Sequence, residues 1–257
     1  MIAAWRAATL GASVVLFERN RKPGIKLLIS GGGKCNITHA GAINDLLAGF
    51  LPREARFLKP ALHRFTNSDV VGMLEQDGIA TIVRPDNRIF PLSGRAEDVV
   101  GALESRLQRS GVRVELNARV TSLRASGGEM KAITAGDSEH LSAHVVLATG
   151  GASYPKTGTT GDGYAWAAAL GHRLLPLRAA LAPIGVRPAL PPDWRGVAIR
   201  GGMLAVYAGG VKRGEFRGDV LFSHEGVTGP AALEMSRAAA LAMEGADTEL
   251  RMDFFPA

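Results

Sequence analysis

The feature that most restricts how this chain can fold is a short apolar segment followed by a glycine-rich loop. Residues 14–17 are apolar and end on the acidic residue Glu18, and three consecutive glycines occupy positions 31–33. Such an apolar run is typical of a strand buried in a parallel sheet, and an acidic residue at its carboxyl end can hold the ribose of a dinucleotide. Glycines in a turn let a flat ring or a phosphate approach the backbone. The order of these pieces predicts a nucleotide-binding α/β unit.

The segment before this unit has the composition of a helix. Residues 2–8 are largely apolar and alanine-rich, and Gly11 fits a helix end before the strand. A dinucleotide-binding fold places an apolar strand and a G-x-G-x-x-G turn in front of such a helix. We therefore expect Met1 to lie inside the first nucleotide-binding helix, so that the first strand and its glycine fingerprint are missing. An ordinary N-terminal helix is the alternative.

The composition is that of a globular protein with one or two domains. Of the 257 residues, 46% are hydrophobic and 21% are charged. No run approaches the roughly 18–20 apolar residues of a membrane span, and the N-terminus lacks the pattern of a signal peptide. We therefore expect a cytoplasmic protein without a membrane partner. The single cysteine, Cys35, and six scattered histidines give no spacing suited to a metal ion, so no metal is expected.

The chain is basic, with 30 Lys and Arg against 24 Asp and Glu, a net charge of +6. A basic chain can bind nucleic acid or attract anionic ligands. The positive residues are scattered, however, and no helix-turn-helix, zinc or RNA-recognition signature accompanies them. We therefore expect a small-molecule substrate and no nucleic-acid partner. A basic module that binds anions or nucleic acid is kept as an alternative.

A change in composition near residues 176–183 predicts two domains, an α/β domain over residues 1–178 and a β-rich domain over residues 179–257. Apolar spacings of three and four predict helices within residues 45–51, 68–78 and 96–111. Strands are predicted on either side of the turn at residues 84–87, at 112–116, and as a hairpin over 119–136. Residues 144–153 are predicted to form a buried strand that runs into a glycine turn. After Gly171 prolines become dense, beginning at Pro176, and short apolar runs alternate with glycines over residues 184–222, which indicates the β-rich domain.

Two further glycine turns could bind a ligand. The apolar run 145–148 ends on Thr149, Gly150 and Gly151, at the sheet edge where open α/β folds bind ligands. Gly161 and Asp162 precede an alanine-rich helix, and a glycine turn that opens a helix offers backbone N–H groups to a phosphate or a ring carbonyl. Asp162 could equally be a simple helix N-cap.

Five motifs occur in one order along the chain. They are the acidic strand end, L-L-I-S-G-G-G-K-C-N at 27–36, R-x-F-P-x-S at 88–93, A-T-G-G-x-S-Y-P at 148–155 and T-G-D-G-Y at 160–164. This set resembles the BaiN-like (YhiN-like) FAD-dependent oxidoreductases, also known as aminoacetone oxidase-like flavoproteins. Residues 214–230 are similar to the family segment G-E-x-L-F-T-H-x-G-[IL]-S-G-P, with departures at Ser223, Val227 and Thr228. The resemblance extends over essentially the whole chain.

The resemblance implies a Rossmann-like FAD-binding domain with an inserted β-rich module. It also implies hydride transfer between flavin and a small organic substrate, either reduction of an enone-like compound or oxidation of a small amine, with NAD(P)H left open as a donor. Glu18 should hold the adenosine ribose, and Val120 should meet the adenine through its backbone. The remaining residues implied to bind the cofactor are Lys26, Ser30, Gly31, Gly32, Gly33, Lys34, Cys35, Asn36, Thr149, Gly150, Gly151, Thr157, Gly161 and Asp162. Family members are longer at both ends, so a truncated remnant that binds little or no FAD is an alternative.

Three side chains are candidates for a direct part in the chemistry. Lys34 could stabilise the anionic reduced flavin, or it could be a solvated surface lysine. His224 could act as an acid or base on the substrate, although a histidine in a loop is more often a hydrogen-bonding group. Cys35 has no partner for an internal dithiol couple, which favours a structural placement over a redox role.

Overall fold

The computed structural model describes residues 1–134 and 138–256. Their contacts form two compact units, Met1–Leu174 and Leu175–Ala257. The domain boundary predicted between residues 178 and 179 stays a prediction. Among the described residues, no helix combines the length and apolar character needed to cross a membrane.

The first unit mixes helices with short strands. Its helices are α1 (Ile2–Thr9), α2 (Ile25–Ile29), α3 (Ile43–Ala48), α4 (Pro52–Arg64), α5 (Asn67–Gln76), α6 (Ala96–Arg109) and α7 (Asp162–Ala169). Its strands are β1 (Val15–Phe17), β2 (Thr38–His39), β3 (Thr81–Val83), β4 (Arg88–Pro91), β5 (Arg113–Glu115), β6 (Val120–Ser126), β7 (Glu129–Thr134) and β8 (Glu139–Ser142). The helices predicted from apolar spacing and the two predicted strand pairs are thereby confirmed. Residues 135 and 136 of the predicted hairpin lie outside the described residues.

The described strands of the first unit form three small sheets. Strands β1 and β5 pair in parallel, with Leu16 opposite Val114. The other two sheets are antiparallel and have the orders β2-β4-β3 and β6-β7-β8. The parallel pair leaves Glu18 directly after β1, as the sequence predicts.

Helix α6 forms much of the core of the first unit. Its buried residues Val99 and Leu103 pack in one cluster with Leu74 of α5 and with Cys35. They recur at a spacing of four, so one face of the helix is apolar. The core therefore lies directly beneath the loop that contains Cys35.

The prediction of a buried strand over residues 144–153 is wrong. Residues 144–150 have no regular secondary structure, and Val146 is 70% exposed. A strand exists only when its N–H and C=O groups pair with a neighbouring strand. Among the described residues, β1 pairs with β5 alone and none of the sheets includes residues 144–150. The apolar run therefore lacks the partner that would make it a strand.

The second unit is a five-stranded antiparallel sheet with one helix. It consists of β9 (Ile184–Gly185), β10 (Ala198–Ala208), β11 (Val211–Phe222), β12 (Gly226–Thr228), α8 (Pro230–Ala242) and β13 (Thr248–Asp253), with strand order β13-β10-β11-β12-β9. Alanines of α8, including the fully buried Ala231 and Ala232, pack in one cluster with Val206 and Val220 of the sheet. The β-rich character is as predicted, whereas α8 was not predicted.

Candidate cofactor site

The glycine loop between α2 and β2 has the backbone conformation that glycine alone adopts easily. Gly31, Gly32 and Gly33 have φ values of 58°, 68° and 84°. A Cβ atom on Gly31 would lie 2.7 Å from Cε1 of Phe90 and 2.9 Å from the backbone N of Asn36. A Cβ atom on Gly32 would meet nothing within 4 Å. Gly31 is therefore required for packing, whereas the backbone at Gly32 borders open space.

Hydrogen bonds on its inner side hold this loop in place. The backbone N–H of Cys35 donates to the carbonyl O of Ser30 at 3.0 Å, and the Ser30 hydroxyl donates to the Leu27 carbonyl at 2.8 Å. The backbone N–H of Ala96, the first residue of α6, donates to the Gly33 carbonyl at 3.2 Å. Cys35 is 1% exposed, and this burial raises the pKa of its thiol. A buried thiol with a raised pKa agrees with the structural interpretation of Cys35.

Lys26 connects the glycine loop to the A-T-G-G-x-S-Y-P motif. Its ammonium donates to the Ser153 hydroxyl at 2.9 Å and to the Ser153 carbonyl at 3.2 Å. It also lies 5.7 Å from the centroid of the Tyr154 ring. Two motifs separated by more than a hundred residues in sequence therefore meet at this point. Lys34 and Asn36 are exposed on the same loop.

The carboxylate of Glu18 is oriented by a neighbour that the sequence analysis overlooked. Its Oε1 atom accepts hydrogen bonds from the backbone N–H and the side-chain amide of Asn20, both at 2.8 Å. The Asn20 amide also donates to the carbonyl of Thr157 at 3.1 Å. Asn20 thereby joins the carboxyl end of β1 to the turn before α7.

Arg19 makes a second connection between the same two segments. Its guanidinium donates to the Thr160 hydroxyl at 2.6 Å, to the Gly158 carbonyl at 3.2 Å and to the Asp162 carboxylate at 3.3 Å. Arg119 pairs with the same carboxylate at 3.3 Å, just before Val120. Val120 is the half-buried first residue of β6 and lies opposite Thr134.

The N-cap of α7 is Gly161, with a φ of 82°, so Asp162 is the first helical residue and not the cap. Its carboxylate instead pairs with Arg19 and Arg119 and accepts a hydrogen bond from the Thr160 hydroxyl. The sequence analysis missed Arg19, Asn20 and Arg119. Arg19 and Asn20 directly follow Glu18, and that position was the available signal.

The Thr149-Gly150-Gly151 turn packs against the start of α7. A Cβ atom on Gly163 would overlap the Thr149 side chain, and one on Gly150 would lie 2.9 Å from Cγ2 of Thr159. The Thr159 side chain is buried, and its hydroxyl lies 2.9 Å from that of Thr157. The contact requires glycine because any side chain would separate the turn from the helix. The structure thus brings the two predicted glycine turns together.

His224 lies on the second unit, in the turn between β11 and β12. Its Nε2 atom is 3.5 Å from Oε1 of Glu225, and both side chains are mostly exposed. The turn itself is closed by the Ser223 hydroxyl, which donates to the Gly226 carbonyl and accepts from the Gly226 N–H. A catalytic role for His224 stays a prediction. In the parts of the chain that the structure describes, no group of three or more His, Cys, Asp or Glu is arranged to hold a metal ion.

A parallel strand pair that ends on an acid, with glycine turns that meet around it, defines a Rossmann-like nucleotide-binding domain. The model of the family described as HI0933-like protein Rossmann domain matches residues 1–227. The chain therefore belongs to this family, which includes the BaiN-like and YhiN-like flavoproteins. Family membership confirms both the resemblance and the predicted fold class.

Three curated relatives each align with at least 90% of the chain. It is 31% identical to a ribosomal RNA dihydrouridine synthase of Haemophilus influenzae over 92% of this chain and 58% of that protein. It is 31% identical to the protein of the same name from Escherichia coli, over 90% of this chain and 56% of that protein. It is 28% identical to the 3-dehydro-bile acid delta(4,6)-reductase of Clostridium scindens, over 95% of this chain and 59% of that protein. The chain thus spans less than two thirds of the length of these relatives.

Among solved structures, the Diels-Alderase PyrE3 aligns with 79% of this chain and with 35% of its own, at a TM-score of 0.38 and 14% identity. Similarity at this level carries no argument about function.

Proposed function

We propose that this chain belongs to an FAD-dependent reductase of carbon–carbon double bonds conjugated to a carbonyl group. The observation that supports this most directly is that the names of all three relatives describe the reduction of a conjugated double bond. Formation of dihydrouridine saturates the ring double bond of uridine, which is conjugated to a carbonyl. A delta(4,6)-reductase of a 3-dehydro compound likewise acts on double bonds conjugated to a ketone. These names favour reduction over amine oxidation, the other reaction that the family resemblance implies.

The described residues fit an FAD molecule at two places. The open backbone at Gly32 leaves room for a flat ring system, since no atom lies within 4 Å of an added Cβ. At the end of β1, Asn20 occupies only the Oε1 atom of Glu18, so the Oε2 atom can accept from ribose hydroxyls. When bound, FAD supplies the hydride chemistry of the reduction. The exposed ammonium of Lys34, on the same loop as Gly32, would favour negative charge on a ligand there.

The reductant and the proton donor are also part of the proposal. We propose NAD(P)H as the reductant that supplies the hydride to the flavin. Reduction of a conjugated double bond adds a hydride to one carbon and a proton to the other. A general acid must supply this proton, and His224 is our candidate for that role.

The proposed substrate is a uridine base within RNA. The two relatives at 31% identity carry this activity in their names, and the net charge of +6 suits a polyanionic substrate. This proposal differs from the sequence-based expectation of no nucleic-acid partner. The names of the two relatives leave nucleic-acid binding possible. A small conjugated ketone is the second candidate, favoured by the bile-acid reductase at 28% identity.

In the test, the protein is incubated under anaerobic conditions with FAD, NADPH and one of two substrates. One is a ribosomal RNA transcript, and the other is a 3-keto-4,6-diene steroid. We expect NADPH consumption and a product that has gained two hydrogens, detected by mass spectrometry of the RNA nucleosides or of the steroid. The matched control is Gly32→Val, which we expect to prevent flavin binding. Oxidation of a small amine with no reduction of either substrate would refute the proposal.

A further inference from the structure

Helix α4 carries a cluster of cations on one face, which the candidate cofactor site does not use. Arg53, Arg56, Lys59 and Arg64 are exposed, as is Phe57, which is 84% exposed. Residues three and four apart lie on the same side of a helix, so the residues at positions 53, 56, 57 and 64 share one face, with position 59 at its border. We call these five residues the basic face of α4. Leu58 and Leu62 are half-buried on the opposite side, towards the protein.

Within residues 1–134 and 138–256, these cations have no acidic partner of their own. Some cations of the first unit are engaged, as Arg19 is with Asp162 and Arg106 is with Asp77. In the described part of the chain, the side chains of Arg53, Arg56, Lys59 and Arg64 make no ion pair and no hydrogen bond; the only side-chain hydrogen bond found there at these residues is that of His63 Nδ1 with the Lys59 carbonyl. The one acid within α4 is Glu54, whose carboxylate accepts from the Leu51 N–H at 3.2 Å at the helix start. The basic face is therefore free to neutralise an anionic partner.

The arrangement of the face distinguishes between two polyanions. Single-stranded nucleic acid is bound by cations that follow its phosphates and by aromatic rings on which its bases stack. The basic face has both, since Phe57 lies about one helical turn after Arg53 on the same side of the helix. A helix that binds an anionic membrane needs a broad apolar face open to the lipid. In α4 the corresponding residues, Leu58 and Leu62, face the protein instead.

We propose that the basic face of α4 binds the backbone of single-stranded RNA and that Phe57 stacks on one of its bases. This rests on the proposed function insofar as the substrate base belongs to an RNA. The cations are separated in sequence by two, two and four residues, so they form no charge block there. Only the helix gathers them, which is why their spacing predicted no nucleic-acid interface.

The test measures the binding of a short fluorescein-labelled oligouridylate by fluorescence anisotropy, without FAD or reductant. Four phosphate contacts predict that the logarithm of the affinity falls with the logarithm of the salt concentration at a slope of about 2.8. The triple variant Arg53→Gln, Arg56→Gln and Lys59→Gln should lower that slope to about 0.7. It should weaken binding roughly 100-fold at about 0.1 M salt. Phe57→Leu should weaken binding about 5-fold or more while the slope stays unchanged.

The matched control removes three exposed cations elsewhere, by Arg124→Gln, Arg195→Gln and Arg213→Gln. It lowers the net charge equally, so retention of nearly full affinity in this variant supports a localised RNA site on α4. Equal losses in both triple variants would overturn the inference, because binding would then follow net charge alone. Absence of RNA binding, or α4-dependent binding to phosphatidylglycerol vesicles but not to RNA, would also overturn it.

Failure of this inference can be told apart from failure of the proposed function. Reduction of the free steroid does not require RNA, so the α4 triple variant should reduce it as the unaltered protein does. RNA binding that depends on α4 would support the inference even if neither substrate were reduced. Steroid reduction without any RNA binding would overturn the inference and leave the reductase proposal standing.

Discussion

The glycine loop permits a prediction that separates folding from cofactor binding. Gly31 and Gly32 are neighbours with similar backbone angles, φ 58° and 68°, so alanine at either position pays the same conformational cost. That cost is about 1–2 kcal/mol for an L-residue in the left-handed region. Their surroundings differ, because an added Cβ meets Phe90 and the Asn36 backbone at Gly31 and open space at Gly32.

The difference in packing determines the expected magnitudes. Phe90 is 2% exposed and the contact with Asn36 is to its backbone, so neither neighbour can move freely. Overpacking of this kind costs about 1–3 kcal/mol. Gly31→Ala should therefore lower the free energy of unfolding by about 2–5 kcal/mol, and Gly32→Ala by about 1–2 kcal/mol. At about 2–4 °C per kcal/mol, the extra loss in Tm for Gly31→Ala is roughly 2–12 °C.

Thermal unfolding followed by circular dichroism measures the stability of both alanine variants. A titration with FAD followed by flavin fluorescence then examines Gly32→Val, in which a β-branched side chain occupies the open space. We expect that this variant folds but loses FAD binding. Equal stability losses at the two glycines would refute the packing argument. Undiminished FAD affinity in Gly32→Val would place the cofactor elsewhere.

Three further predictions concern single side chains. Asp77→Asn should cost about 3–5 kcal/mol in urea unfolding, because it removes the negative charge that lies 2.6 Å from the nearly buried Arg106 and leaves that guanidinium uncompensated; the exposed Asp86→Asn is the matched control and should cost little. Glu18→Gln should weaken FAD about tenfold, since neutral hydrogen bonds to a ribose replace charge-assisted ones, and an unchanged Kd would place the ribose elsewhere. Because burial raises the pKa of Cys35, iodoacetamide should label the folded chain far more slowly at pH 8 than the urea-unfolded chain, and equal rates would contradict this.

The local patterns of the sequence were sufficient for most of the elements. Apolar residues at a spacing of four predict α6, and the turn at residues 84–87 predicts the pairing of β3 with β4. These features depend on contacts between residues close in sequence, whose preferences can be recognised from a short window. The same holds for Glu18 at the end of β1 and for the glycines of the loop.

Other features depended on residues that are distant in the chain. An apolar run such as residues 144–150 becomes a strand only when another strand offers its hydrogen bonds, and sequence alone does not supply that partner. Arg19 and Asn20 reach the turn before α7 across some 140 positions, so no spacing rule could associate them with Asp162 and Thr157.

The sequence by itself determined which residues could approach a cofactor, because glycine conformation and side-chain charge are properties of single positions. Only the tertiary structure decided what those residues do together. Positions 31 and 32 are both glycine, yet their surroundings differ. Gly31 packs against Phe90 and has a structural role, whereas Gly32 is open to a ligand. Likewise, the cations of α4 are scattered in the sequence. They lie together on the exposed side of the helix because Leu58 and Leu62 are half-buried on its other side.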